Sequence, residues 1–198
     1  MKRIFFAIIL FAFLYSNSNA QISINGNVGL SMPLGTFSDV TTIGFGGSFG
    51  GLYQINPEMR VGLSLGYYGF FGSNISVMNA TVKAPGWSII PISGTYNYTF
   101  YNYNDFNFYG GFDLSLYLCR IRIVGSTIEP HFGIAPYIGA TYNLNEWLKL
   151  NANLKYNVIF TSSQIMYLGI NIGAEMPLNK IIGIFNNSKN VNNTQLSK

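Results

Sequence analysis

The chain has 198 residues and a net charge of +4, with 9% charged and 48% hydrophobic side chains. Soluble domains carry roughly a quarter charged residues, so a free soluble monomer loses support, and with no basic stripe so does a nucleic-acid partner. One cysteine (Cys119) and one histidine (His131) exclude an internal disulfide and any cysteine- or histidine-cluster metal centre.

The first element, residues 1–20, reads as a signal peptide. Lys2 and Arg3 precede an apolar run, Ile4 to Tyr15, and then Ser18-Asn19-Ala20 before Gln21. That order of charge, apolar core and small residues predicts cleavage after Ala20. The run is shorter than the roughly 20 residues a spanning helix needs. Removing Lys2 and Arg3 lowers the net charge from +4 to +2.

From residue 21 the chain alternates. Apolar residues keep one parity and glycine or small polar residues the other, as in Leu148, Leu150, Ala152, Leu154, Tyr156, Val158 and Phe160, interleaved with Lys149, Asn151, Asn153, Lys155 and Asn157. A period of two is a β-strand with two different faces. The pattern predicts eight strands, at 22–33, 42–55, 59–72, 87–101, 106–119, 131–143, 147–161 and 165–178. Their connections alternate long and short, except that the last, 162–164, is short where a long one is due. This predicts an all-β fold: an eight-stranded antiparallel up-and-down transmembrane β-barrel spanning residues 21–178, with its apolar parity in lipid.

The polar parity then faces the lumen. It contains Arg60, Ser64, Ser93, Thr95, Asn97, Asp113, Ser115, Tyr117, Tyr137, Thr141, Asn151, Asn153, Lys155, Asn157, Asn171 and Glu175, with glycines such as Gly62, Gly111 and Gly173 in phase. Small inward residues suit a narrow, side-chain-filled barrel. Arg60, Asp113, Lys155 and Glu175 are expected to pair there as a structural polar network, because a buried charge without a partner is costly. Aromatic residues gather at both strand ends. Tyr53, Tyr98, Phe100, Tyr101, Tyr103, Phe106, Phe108, Tyr142 and Trp147 lie near the short turns. Tyr67, Tyr68, Phe70, Phe71, Trp87, Phe160 and Tyr167 lie near the long loops. They predict two interfacial girdles. Past Leu178 the alternation stops, and residues 179–198, rich in Asn, Ser and Lys, are expected to be a flexible tail.

Several segments carry a resemblance: Gly-Leu-Ser-Met-Pro-Leu-Gly-Thr-Phe (29–37), Ile-Ile-Pro-Ile-Ser-Gly-Thr-Tyr-Asn-Tyr (89–98), Phe-Tyr-Gly-Gly-Phe-Asp-Leu-Ser-Leu-Tyr (108–117), Gly-Ile-Ala-Pro-Tyr-Ile-Gly-Ala-Thr-Tyr (133–142) and Leu-Gly-Ile-Asn-Ile-Gly-Ala-Glu-Met-Pro-Leu (168–178). With these, the chain resembles the outer-membrane β-barrel domain family of Bacteroidota type and is similar in architecture to OmpA/OmpX-like barrels. The resemblance implies residence in the cell outer membrane, with outer-membrane lipid and the barrel assembly machinery as partners. It implies no catalytic residue. Barrels of this kind often close on an aromatic residue, whereas here the last strand ends Met176-Pro177-Leu178.

The expected function is non-enzymatic: a monomeric barrel anchoring long loops that present a recognition surface to an extracellular ligand the sequence does not identify. No catalytic, cofactor-binding or metal residue is predicted. An alternative is a transport or assembly component that meets periplasmic partners through its tail. A soluble lipocalin-like carrier would need a charged outer face, which the composition does not supply. A lipid A deacylase would need a Ser–His pair on the lipid-facing rim. His131, near Ser126, Thr127 and Glu129, has the residue types for hydrolysis, but no nucleophile motif surrounds the serine.

Overall fold

The alternation builds long strands closed into one sheet. A computed structural model describes residues 22–77 and 80–181. The predicted signal peptide and its cleavage point lie outside the described residues, as does the tail beyond 181. In chain order the elements are β1 (Ile22–Leu34), α1 (Thr36–Val40), β2 (Thr41–Gln54), β3 (Met59–Gly72), β4 (Asn74–Val77), β5 (Ala80–Lys83), β6 (Trp87–Tyr103), β7 (Phe106–Ile121), β8 (Glu129–Asn143), β9 (Lys149–Ile159) and β10 (Ile165–Pro177). Eight of the strands form a closed antiparallel barrel in the order β1-β10-β9-β8-β7-β6-β3-β2, and β4 and β5 form a separate hairpin within a long loop.

The barrel's stagger follows from its register. One path of paired residues runs from Ile24 through Gly51, Leu63, Gly94, Leu114, Ile134, Val158 and Met166 back to β1 at Leu34. It returns ten residues further along β1, a shear that with eight strands tilts them by about 40°. The 13 residues of β1, at about 3.3 Å each, then cover about 33 Å along the axis, close to the ~30 Å hydrocarbon thickness of a bilayer.

The short turns share a chemistry. Asn56 Oδ1 accepts from the Glu58 and Met59 amides at 3.0 and 2.7 Å, and Asn145 Oδ1 accepts from those of Trp147 and Leu148 at 3.0 and 2.8 Å. The third turn places Asn104 at φ 52°, a left-handed conformation asparagine tolerates. Two prolines interrupt the wall. Beside Pro91 the β3–β6 register passes from Leu65↔Ile92 to Tyr68↔Ile89, and beside Pro136 the β8–β9 register passes from Ile134↔Val158 to Tyr137↔Lys155. Proline has no amide hydrogen to complete the ladder.

The two faces have inverted polarity. Outside, Val28, Leu30, Phe45, Phe49, Leu65, Leu114, Ile138 and Ile172 are exposed, and Leu63 and Phe132 reach 74% and 73%. Inside, Ser93, Asn97, Asp113, Ser115, Thr141, Asn151, Asn157, Asn171 and Glu175 are buried. Water cannot be the solvent for the outer wall, because so continuous an apolar surface would associate. Among the described residues no helix is long and apolar enough to cross a membrane, and the strands alone present a lipid-compatible face.

The structure corrects the aromatic assignment at the loop end. Tyr67, Phe71 and Phe160 are exposed. Tyr68, Phe70 and Tyr167 instead point inward, packed with Phe37, Ile89, Tyr117, Cys119, Ile159 and Ile165, with Trp87 against that cluster. They plug the barrel where a girdle was expected. At the short-turn end the aromatics do face outward, and an irregularity in register between Thr99 and Tyr101 leaves both Phe100 and Tyr101 exposed.

Candidate functional site: a sealed lumen and a loop-side mouth

The lumen is closed by charge nearest the short turns. Arg60 Nη1 donates to both Glu175 oxygens, at 3.2 and 3.0 Å, and Ser23 Oγ donates to Glu175 Oε1 at 2.9 Å. Arg60 sits on β3 and Glu175 on β10, with β1 and β2 between them in the wall, so the pair crosses the lumen. The guanidinium also lies 5.7 Å from the centroid of the Tyr109 ring. A second crossing lies further up. Lys155 Nζ donates to Asp113 Oδ2 at 2.5 Å and Thr95 Oγ1 to Asp113 Oδ1 at 2.8 Å, while Lys155 Nζ stands 4.8 Å from the centroid of the Tyr137 ring. Tyr137 donates in turn to Asn97 Oδ1 at 2.5 Å.

The four charged residues expected in the lumen therefore meet as two pairs, Arg60 with Glu175 and Lys155 with Asp113. The cavity left among them is about 50 Å³, room for a few water molecules. Asn27 Oδ1 and Asn151 Oδ1 are buried in its wall without a protein partner, as expected of groups that hydrogen-bond to water.

Above this polar layer sits the aromatic plug, and above the plug is α1. Gly35 enters α1 with φ +58°, where a side chain would be strained. The helix is tied on two sides: Thr36 Oγ1 donates to Ser163 O at 3.1 Å, and Ser73 Oγ donates to Asp39 O at 2.7 Å. Phe37 thereby hangs into the barrel, with ring centroids 5.1 Å from Phe70 and 5.7 Å from Trp87, both edge-on. Arg122 reaches over the neighbouring rim and donates to Phe70 O at 3.0 Å and Trp87 O at 2.9 Å, joining the upper ends of β3 and β6.

A second cavity, of about 440 Å³, opens at this mouth and is lined by Thr36, Phe37, Val40, Trp87, Glu129, His131, Thr161, Ser162, Ser163 and Ile165. His131 shares the parity of the buried Ala135 and Tyr137, so it faces the mouth and not lipid. Its Nε2 lies 3.4 Å from Glu129 Oε2. Ser126 is engaged elsewhere: it accepts from Arg120 Nε at 3.2 Å and donates to Ile121 O. No serine hydrogen-bonds His131 among the described residues. No group of three or more His, Cys, Asp or Glu there is placed to hold a metal ion.

Sequence reasoning missed most of this mouth. Aromatic clustering places Trp87 in a girdle, and nothing in the sequence marks Phe37, Val40 or Ile165 as part of a site. Parity held a signal for Trp87, which keeps phase with Ile89, Ser93 and Thr95. For α1 there was none, since five residues are too few to show a helical period.

The closed register, inverted polarity and filled lumen make the comparison with solved structures specific. Neisserial surface protein A aligns at TM-score 0.65 and 16% identity, over 80% of this chain and 99% of that one. Ail of Yersinia pestis, solved with the heparin analogue sucrose octasulfate, aligns at TM-score 0.54 and 12% identity, over 80% and 100%. The outer membrane protein OprG of Pseudomonas aeruginosa aligns at TM-score 0.54 and 12% identity, over 81% and 94%. The fold is that of small outer-membrane barrels. No protein-family model and no curated protein matches the chain, and identities this low speak for fold alone.

Proposed function

We propose that this protein is a non-enzymatic integral protein of an outer membrane, whose filled barrel anchors its long loops as a recognition surface. One observation carries the reading: the outer wall is apolar while the lumen is bridged by Arg60–Glu175 and Lys155–Asp113. Such a barrel suits lipid outside and blocks passage inside, which leaves the loop end as the part free to meet a partner. Two aligned barrels support this reading by their names, one a surface protein and the other an attachment invasion locus protein solved with a heparin analogue. In this reading residues 1–20 direct export and are removed, and both ends of the barrel domain lie on the periplasmic side with the short turns.

Membrane fractionation with a heat-modifiability gel tests the reading. The protein is expected in the outer-membrane fraction as a band whose mobility shifts on boiling, and protease applied to whole cells should cut the loop at 73–86. Recovery in the soluble fraction with no shift would overturn it. Sequencing the mature N-terminus should return Gln21.

A further inference from the structure

The mouth cavity has a lining that discriminates between ligands. Its body is apolar and aromatic, from Phe37, Val40, Trp87 and Ile165, and its polar edge includes Glu129. No lysine or arginine lines it. Glu129 Oε2 faces His131, and Oε1 makes no hydrogen bond among the described residues. About 440 Å³ is the size of a small-molecule site, whereas the cavity below the plug, about 50 Å³, admits only water. The β9–β10 connection is short, so no long loop rises over that side of the cavity.

We propose that this cavity binds a small organic ammonium ion, an amine or quaternary nitrogen carried on an apolar body. The proposal rests on the loop-outward reading above. Aromatic rings attract cations through the ring quadrupole; Trp87 is partly exposed at the cavity wall, while Phe37 is buried and packs edge-on with it. Glu129 supplies the complementary charge, and apart from His131, which faces that carboxylate at 3.4 Å, no basic side chain lines the cavity to receive an anion of the same shape. Because the Glu129 side chain is 69% exposed, solvent screens its contribution, and selectivity of about tenfold is expected rather than several orders of magnitude.

The chain has two tryptophans, so Trp147→Phe leaves Trp87 as the sole indole reporter. In detergent-folded protein carrying that change, phenethylammonium should alter Trp87 emission saturably. Phenylacetate and 2-phenylethanol, of nearly the same shape, should bind about tenfold more weakly or not at all. Glu129→Gln should abolish the preference for the cation. Equal responses to the three probes, or no saturable response, would overturn the proposal. Because the probe comparison needs no substitution in the cavity, it decides even where Glu129→Gln fails to fold. A heat-modifiable outer-membrane band with no cation preference would remove this ligand and leave the anchored-barrel reading intact.

Discussion

Arg60 shows how one residue can hold a barrel shut. Its guanidinium is 11% exposed and the Glu175 carboxylate 5%, so each depends on the other for solvation. Removing one partner leaves a buried charge, whereas removing both removes the problem. Arg60→Met is therefore expected to cost about 3–5 kcal/mol of folding stability in lipid vesicles, and Arg60→Met combined with Glu175→Leu to recover most of it. Urea titrations of the two variants check this; a double variant no better than the single would show that Arg60 acts through packing on Tyr109 and not through its charge. The alternation around Arg60 and Glu175 makes their phase readable in the sequence. Their meeting is not readable, because it depends on closure and on a ten-residue shear that appears only when all eight strands are paired. Tyr67 and Tyr68 carry the same lesson. Clustering alone points both to a girdle, but Tyr68 keeps phase with Arg60, Gly62, Ser64 and Gly66, and that phase is the stronger signal, since Tyr68 is buried and Tyr67 exposed.

At the scale of elements, strands were legible and loop structure was not. With 11 to 17 residues, a barrel strand repeats its in-out alternation about five to eight times, so each placement is checked by its neighbours. The helix α1 has five residues and is fixed by distant contacts, Thr36 to Ser163 and Asp39 to Ser73. The β4–β5 hairpin likewise arises within a loop read only as long. These differences give the elements different expected sensitivities. Phe37→Ala should empty a ring site against Phe70 and Trp87 and cost about 3 kcal/mol, seen as a lower thermal transition and altered Trp87 fluorescence. On the opposite face of the wall, Leu154 is 41% exposed in the middle of β9, between Ile138 and Ile170, with its exposed part facing lipid in the proposed membrane. Leu154→Arg should cost about 2–4 kcal/mol in vesicles. A neutral result in lipid, with destabilisation confined to detergent-free buffer, would mean that the outer wall does not face hydrocarbon.

For the whole molecule, the decisive property is that its obstructions lie in series. A solute entering from the loop end meets α1 and Phe37, then the cluster of Phe70, Tyr68 and Tyr167, then the Lys155–Asp113 crossing, and finally the Arg60–Glu175 crossing. Conductance through barriers in series is set by the tightest of them, so opening one leaves the path closed. Eight strands enclose only enough space for side chains to fill, and the cavity of about 50 Å³ left in the polar layer is far below a hydrated ion with its shell. The protein in a planar bilayer should therefore show no steady porin-sized conductance. The same silence is expected of Phe37→Ala, because the two ion-pair crossings remain, and of Arg60→Met with Glu175→Leu, because the aromatic cluster remains. Only a variant that removes both layers should pass ions. Steady conductance from the unaltered protein would show that the interior rearranges in lipid, and a function in transport would then replace the anchored surface.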